Sequence, residues 1–520
     1  MKTKQTKTKQ TKTKHPKTKQ TKTKQTKTKQ PKTKQTKTKQ TKQKKYIYEV
    51  SKLNNGLTYF INDNKKYNDI TIIFMVKCGG ITEGKYNGLS HLLEHMLFRG
   101  TKNNPSKTLL IKKMEEYGGY INGATSYEST YYYISVHPSK LLHIIPLLSE
   151  LIRFSNLDEY LLENEKNILQ NEFNMRSDMN SYLDELVELN IYNNSIYKDD
   201  FGGTLKSMKE IEKHHILAYI NTFYNPDNCM IGILGNLKTP LKKILFEVNK
   251  YFGMKDFLNH YKLEKEHKKY RNYIKEYNYF NKMKEQIELK RRIPIKYNWN
   301  SYNILNKKLN QSYIYIIFDG LPLINNKEID KLEIQNNFIK YYLNNYKGGR
   351  LINILRNEEN LIYNLSVSSK NFTLSYNGLF TIKYNIIPNN KNIRYSIKLI
   401  LEELNRLKTE FIQEKEIKEL NKMIKYRSEI RNYNSQNDVT KKIKEYILGD
   451  LNSQYYKKQI QDYKKEDSKR EKQIKEEEKE QLLIPHNIQN RIKQLFDFNK
   501  MKIVCFSPIK INLKTTDFKF

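Results

Sequence analysis

Three residues in one short stretch, His91, Glu94 and His95, have the types and spacing of a zinc-dependent hydrolase. On an α-helix, residues four apart leave the same face, so the two imidazoles can bind one ion. Catalytic zinc typically takes three protein ligands and leaves a fourth position for water. A carboxylate that does not bind the metal can take a proton from that water, and Glu94 is placed for this role. The order His-x-x-Glu-His is the inverzincin signature.

The helix that must carry these residues is predicted over residues 88–98. Its apolar side chains share one face of the helical wheel, and they are Leu89, Leu92, Leu93 and Met96. His91, Glu94, His95 and Phe98 lie on the other side. The helix can therefore bury its leucines and present its polar groups to one cleft. A chance motif on an ordinary amphipathic helix is the alternative, because a short pattern alone is weak evidence.

A second predicted helix, over residues 157–195, supplies carboxylates. Glu165, Ile168, Leu169 and Glu172 follow the i, i+3, i+4, i+7 spacing of a buried stripe. Burying an unpaired carboxylate is costly, and metal coordination is one way to avoid that cost. A solvated face that carries two glutamates is the alternative. Beside the histidine motif, the pattern favours a metal site.

These residues resemble the pitrilysin, insulinase and mitochondrial processing peptidase family of zinc metalloendopeptidases. His91, Glu94 and His95 match its inverted motif, and Glu172 follows at the family's spacing to the third zinc ligand. Glu165 stands where the family has a second acidic residue that supports the site. The resemblance implies one Zn²⁺ per chain, bound by His91, His95 and Glu172, with Glu94 as the base.

The stretch at residues 118–125 resembles the edge strand of this family. The family usually reads Asn-Ala where this chain has Asn122-Gly123. The resemblance implies that Asn122, Gly123 and Ala124 bind substrate, and we expect an exposed edge that pairs with an extended peptide backbone.

The second half has one further match, around Gly348-Gly349-Arg350-Leu351. Arg356 and Tyr363 stand seven apart, as a paired Arg and Tyr do in the family. The resemblance implies that Tyr363 hydrogen-bonds the developing oxyanion and that Arg356 holds substrate backbone. Without the resemblance neither residue would stand out in a chain with 40 tyrosines.

The chain is predicted to be α+β, with two homologous α/β-sandwich domains that arose by duplication. Each would contain a mainly antiparallel sheet flanked by helices. In the second half, helices are expected near 392–410 and 413–448, and no His-x-x-Glu-His occurs there. The expected units are a tail at 1–45, a catalytic zinc peptidase domain at 46–255, a linker at 256–300 and a catalytically inactive domain at 301–520. Residues 464–481 are expected to be a solvated helical insertion.

Residues 1–45 repeat Thr-Lys-Thr-Lys-Gln and contain 19 lysines and no acid. With no apolar side chain to bury after Met1, this Lys-rich tail is predicted to be disordered. It lacks the apolar core of a signal peptide, and it has no Arg and no amphipathic face, unlike a mitochondrial presequence. Non-specific polyanion binding is a possible use.

Composition favours an intracellular protein, cytoplasmic or from a virion, over a secreted one. The three cysteines, Cys78, Cys229 and Cys505, have no metal-binding spacing, and their odd number argues against a disulfide framework. No apolar run is long enough to span a membrane, and nucleic acid is expected to bind only non-specifically, through residues 1–45.

The preferred interpretation is a zinc metalloendopeptidase that cuts peptides or unfolded segments and works as a homodimer or beside a related subunit. A non-catalytic scaffold homologue is one alternative, but a scaffold has no need of a base beside a three-ligand site. A polyanion-binding protein, driven by the net charge of +38, is the other.

Overall fold

The computed structural model describes residues 48–175, 179–192, 195–199, 202–290, 301–321, 329–345, 348–370, 378–430, 435–448 and 480–518. The predicted disordered tail at 1–45 lies outside the described residues. So does the predicted helical insertion at 464–481, apart from its last two residues.

The first half is built on a sheet in the order β1-β2-β6-β3-β5-β4. Its strands are β1 (Tyr48–Lys52), β2 (Thr58–Asp63), β3 (Ile70–Val76), β4 (Tyr120–Thr125), β5 (Thr130–Val136) and β6 (Cys229–Gly235). All pairings are antiparallel except that between β2 and β6. Because β4 is last in the order, it is an edge strand.

The first half contains nine described α-helices, and all of them except α5 pack on one face of this sheet. They are α1 (Leu89–Leu97), α2 (Lys107–Glu116), α3 (Leu141–Arg153), α4 (Glu159–Met175), α5 (Met179–Tyr192), α6 (Leu205–Glu210), α7 (Lys213–Phe223), α8 (Leu241–Phe252) and α9 (Tyr270–Lys290). Each of the eight helices on this face places at least one apolar residue in a core shared with the sheet, and α6 does so through Met208, whereas the apolar residues of α5 lie in a separate cluster. Leu89, Leu92, Leu93 and Met96 of α1 are fully buried there, as the helical wheel predicts.

The second half repeats this plan. Its strands are β7 (Ser301–Leu305), β8 (Ser312–Asp319), β9 (Ile362–Lys370), β10 (Leu379–Ile386) and β11 (Lys502–Ser507). Its helices are α10 (Ile329–Asn344), α11 (Arg350–Ile352), α12 (Asn390–Thr409), α13 (Glu414–Ile430), α14 (Ser435–Leu448) and α15 (Pro485–Leu495), and a π-helical turn follows α11 at Asn353–Glu358. The sheet order β7-β11-β8-β10-β9 corresponds to β2-β6-β3-β5-β4. The predicted duplication and mainly antiparallel sheets are confirmed.

One helix from each half packs against the sheet of the other half. Helix α14 of the second half lies on the first sheet, where Ser435 hydrogen-bonds Thr71 at 2.6 Å and Ile443 packs over Gly232. Helix α5 of the first half lies against the second sheet, where the Tyr315 hydroxyl donates to Asp184 at 2.8 Å. A third apolar cluster, which draws on both sheets and both helices, fills the space between them. The two halves therefore share this third cluster in addition to having a core of their own.

Several sequence predictions need correction. The apolar pattern of residues 204–223 predicts one continuous helix, and this prediction is wrong, because Ile211 and Glu212 are extended and Glu212 begins α7 as its N-cap. The apolar pattern also does not predict β7 or β11. The stretch expected to be a linker, 256–300, contributes α9, which places Tyr273 and Phe280 in the first core. Residues 291–300 lie outside the described part of the chain.

Among the described residues, no helix is both long and apolar enough to cross a membrane.

Candidate metal centre

The first turn of α1 begins at Gly88, whose φ of 88° is the left-handed conformation that favours glycine. Because Gly88 has no side chain to cap the helix, the carboxylate of Glu83 replaces the usual cap. It accepts hydrogen bonds from the backbone N–H groups of Gly88 at 2.6 Å and Ser90 at 2.7 Å. This contact fixes the end of the helix from which His91 and His95 project.

The predicted metal ligands converge in space. The ligand atoms of His91, His95 and Glu172 all lie within 4.8 Å of one another, and we call these three residues the metal cluster. The Glu172 carboxylate lies 4.0 Å from Nε2 of His91 and 3.6 Å from Nε2 of His95. Two imidazole nitrogens and one carboxylate oxygen form a ligand set that zinc accepts. Within the described ranges, this is the sole group of three such residues close enough for one ion.

Glu165 fixes the orientation of one ligand. Its Oε1 lies 3.1 Å from Nδ1 of His95, and its other oxygen accepts a hydrogen bond from Arg99. Burial raises the pKa of Glu165, but the hydrogen bond from His95 and the charge of Arg99 outweigh burial and lower it. An ionised Glu165 holds the proton of His95 on Nδ1, so the lone pair of Nε2 faces the metal cluster.

Glu94, the expected base, is buried between α1 and β4. Its Oε2 accepts a hydrogen bond from the Thr125 hydroxyl at 2.9 Å. Burial raises its pKa, and the nearby His95 and the Thr125 hydrogen bond oppose this only in part. A methyl group on Gly123 would come within 2.9 Å of the Glu94 carboxylate. The glycine that departs from the family pattern therefore leaves room directly beside the base.

The residues of β4 alternate between two surroundings. Gly123 and Thr125 face Glu94, whereas Asn122 and Ala124 lie opposite Tyr133 and Tyr131 of β5. Because β4 pairs with β5 alone among the described strands, its second backbone edge is available to another extended chain. The predicted edge strand at Asn122, Gly123 and Ala124 is thus present, directly beside the predicted base.

Arg356 and Tyr363 lie in the second half, and they contact each other. Arg356 is in the π-helical turn, and its guanidinium lies 4.6 Å from the centre of the Tyr363 ring. Tyr363 is on β9, the edge strand that corresponds to β4, and it is 74 % exposed. The structure therefore groups the pair with each other and does not place it in the metal cluster.

Other site residues were missed from the sequence. Arg99 was missed because its partner, Glu165, is far away in the chain, and Thr125 was missed because the strand register alone brings it to Glu94. Glu83 offered no capping pattern, since it lies five residues before the helix start. The expected burial of Ile168 was wrong: it is 43 % exposed, because the inner stripe of α4 runs through Leu162, Glu165 and Leu169.

Two sequence families match consecutive parts of the chain. Residues 58–206 match the family described as Insulinase (Peptidase family M16), and residues 210–423 match the one described as Peptidase M16 inactive domain. The metal cluster lies within the first match, whereas Arg356 and Tyr363 lie within the second.

Individual proteins similar to this chain include zinc proteases and processing peptidases. An uncharacterized zinc protease of Rickettsia felis is 26 % identical over 377 residues, which cover 71 % of this chain and 80 % of that protein. The mitochondrial-processing peptidase subunit beta of Saccharomyces cerevisiae is 27 % identical over 208 residues, or 39 % of this chain and 44 % of that subunit. The fold is similar to that of a protease from Helicobacter pylori, with a TM-score of 0.66 and 17 % identity over 89 % of this chain and all of the other.

Proposed function

Because this chain belongs to peptidase family M16, we propose that it is a zinc-dependent metalloendopeptidase. The observation that carries the proposal is the convergence of His91, His95 and Glu172 beside the buried carboxylate of Glu94. A three-ligand set with an adjacent base is what metal-assisted hydrolysis of a peptide bond requires.

Each residue of the site then has a distinct task. His91, His95 and Glu172 would hold one Zn²⁺, which acts as a Lewis acid and makes water a stronger nucleophile at neutral pH. Glu94 accepts the proton of the attacking water and passes it to the leaving amine. Thr125 holds that carboxylate in place, and Glu165 orients His95.

The substrate class we propose is an extended peptide or an unfolded segment. A peptide that adds to the free edge of β4 by backbone hydrogen bonds would pass directly over Glu94. A folded domain cannot present its backbone in this way, so it should be cut far more slowly than the same chain unfolded. Equal rates for a compact domain and its unfolded form would contradict this mode of binding.

Tyr363 and Arg356 are proposed to contact the substrate from the second half, Tyr363 at the developing oxyanion and Arg356 at the backbone. Tyr363 is exposed, so closure around a substrate would be needed to bring it to the reaction. We propose that this closure involves a second copy of the chain or a related subunit, as the relatives named as subunits suggest. Light scattering alongside activity tests this, and full activity in a strictly monomeric fraction would refute it.

The decisive experiment measures zinc content and cleavage of an unfolded polypeptide on the same preparations. The wild-type chain should contain about one zinc and cleave, whereas Glu94→Gln should retain zinc and lose about a hundredfold or more in rate. The matched control is Glu163→Gln, an exposed glutamate of α4 that pairs with Lys166 at 2.7 Å, and it should behave as wild type.

Each other result has a definite meaning. A wild-type chain that holds zinc and cuts no unfolded polypeptide would make the protein a non-catalytic homologue. A Glu94→Gln chain that cleaves normally would remove Glu94 from the role of base.

A further inference from the structure

The N-terminus of α1, the helix that carries His91 and His95, is capped in an unusual way. Helix N-termini are generally capped by a short polar side chain at the N-cap, but α1 has Gly88 there. Glu83 supplies the cap from five residues upstream, and its carboxylate is fully buried, with one oxygen on the N–H of Gly88 and the other on the N–H of Ser90. His91 is the next residue after Ser90, so the capped turn carries a metal ligand.

We propose that Glu83 is a positioning residue of the metal centre, an inference that rests on the proposed function. The N-terminus of a helix carries about half a positive charge, which disfavours a divalent cation held by the first turn. The carboxylate of Glu83 offsets this charge at the two N–H groups where it is concentrated. It therefore raises zinc affinity electrostatically, in addition to fixing the direction of the His91 side chain.

The surrounding contacts hold this turn rigidly. The buried hydroxyl of Tyr219 lies 2.7 Å from the Ser90 hydroxyl and 2.6 Å from that of Thr82, so it bridges the first turn of α1 and the residue before Glu83. Phe280 of α9 packs against the Tyr219 ring with centroids 5.2 Å apart. These contacts hold both the turn that carries the two N–H groups and the residue before Glu83, so the Glu83 carboxylate is kept at the helix end.

A cap with a structural role alone would behave differently. Its loss would lower the melting temperature and leave zinc affinity unchanged, as is expected for a cap elsewhere in the protein. Asn389 is such a control, because its side chain accepts from the N–H of Asn392 at 3.0 Å and caps α12 of the second half. Asn389→Ala removes a cap at a helix that carries no metal ligand.

The test compares the wild type, Glu83→Gln, Glu83→Asp and Asn389→Ala as full-length chains. The zinc dissociation constant is measured by competition with a chelating dye, and amide hydrogen exchange of residues 88–90 is measured on the metal-free proteins. Glu83→Gln should raise the dissociation constant about tenfold, as is typical when a group supporting the ligands is lost. It should also speed exchange at Ser90, because one amide oxygen replaces two carboxylate oxygens.

Glu83→Asp keeps the charge and should recover part of the zinc affinity, whereas Asn389→Ala should bind zinc as the wild type does. If Glu83→Gln does not fold, the aspartate variant decides: weaker zinc binding with a melting temperature no lower than that of Asn389→Ala supports the proposal. Unchanged zinc affinity in the folded Glu83 variants overturns it while leaving the peptidase proposal standing. A wild-type chain that binds no zinc at all overturns both.

Discussion

The two halves of this protein have the same framework but different chemistry. Helices α4 and α13 occupy corresponding places in the two halves, because each is the second α-helix after the strand that pairs with the edge strand, β5 or β10. Both have 17 residues. Counted from their first residues, Glu165 of α4 corresponds to Leu420 of α13, and Glu172 corresponds to Arg427. Leu420 is fully buried in the second core, whereas Glu165 is almost as buried but paired with His95 and Arg99.

The difference shows what a buried carboxylate requires. An unpaired carboxylate in an apolar interior is strongly destabilising, and at the corresponding position the second half has Leu420, which packs in its apolar core. The duplicated fold supplies the scaffold twice, but among the described residues the metal cluster is found only where α1 provides two imidazoles. In the second half, the pair Arg356–Tyr363 lies at the edge strand instead, and its part in the reaction is a proposal.

The largest effect should come from removing a ligand. His91→Ala and Glu172→Ala should lose zinc and, with it, peptide cleavage, because two remaining ligands do not hold the ion. Arg427→Ala, at the corresponding position of the second half, should retain both. The check is metal analysis after dialysis against buffer. A Glu172→Ala protein with full zinc would show that α4, like α13, provides no metal ligand.

How far the sequence predicts this asymmetry depends on the range of the interactions. The metal cluster was predictable, because helical spacing places His91 and His95 together and a known family spacing identifies Glu172. The contact of Thr125 with Glu94 depends on strand register, and that of Arg99 with Glu165 depends on how two helices pack. Neither follows from a local pattern. The exchange of α5 and α14 between the halves was also not predictable, since amphipathic spacing does not say which sheet a helix covers.

A second comparison concerns what the second half adds to the proposed reaction. Tyr363→Phe should lower kcat about a hundredfold and leave zinc content unchanged, because an oxyanion donor acts only in the transition state. The control is Tyr302→Phe, a half-exposed tyrosine on β7 at the opposite edge of the same sheet, which should cleave normally. Equal kcat for the two variants would mean that the second half takes no part in catalysis.

The exchange of helices between the halves can be tested through Gly232 and Ile443. A methyl group added at Gly232 would lie 2.0 Å from Cδ1 of Ile443, so Gly232→Ala should lower the free energy of unfolding by about 2 kcal/mol. Ile443→Val removes that carbon, and the double variant should recover part of the loss. Urea unfolding of the four proteins measures the coupling. Strictly additive losses would contradict the packing of α14 on the first sheet.

The last effect concerns acid stability and belongs to the first half alone. Burial and, second to it, the neighbouring His214 lower the pKa of His215 to about 3. Its Nδ1 accepts the backbone N–H of Glu212 at 2.8 Å, which the neutral ring can do and the protonated ring cannot. A histidine whose pKa falls from about 6.5 on folding stabilises the protein fully above that pH, and the contribution is lost as the pH falls towards 3. The free energy of unfolding should therefore drop by about 1.4 kcal/mol per pH unit in this window from this residue.

His215→Gln keeps an acceptor for the same N–H and cannot gain a proton, so its unfolding free energy should fall less steeply with acid than that of the wild type. Urea titrations at several pH values between 4 and 7 measure both slopes. Lys85 and Lys166 also disfavour the protonated ring, whereas Glu212 favours it. The difference in slope between the wild type and His215→Gln therefore measures the combined effect of burial and these charges on the pKa of His215. Parallel slopes for the two proteins would mean that His215 takes up its proton at about the same pH in the folded and unfolded states. The first turn of α7 would then not be buried as the structure has it.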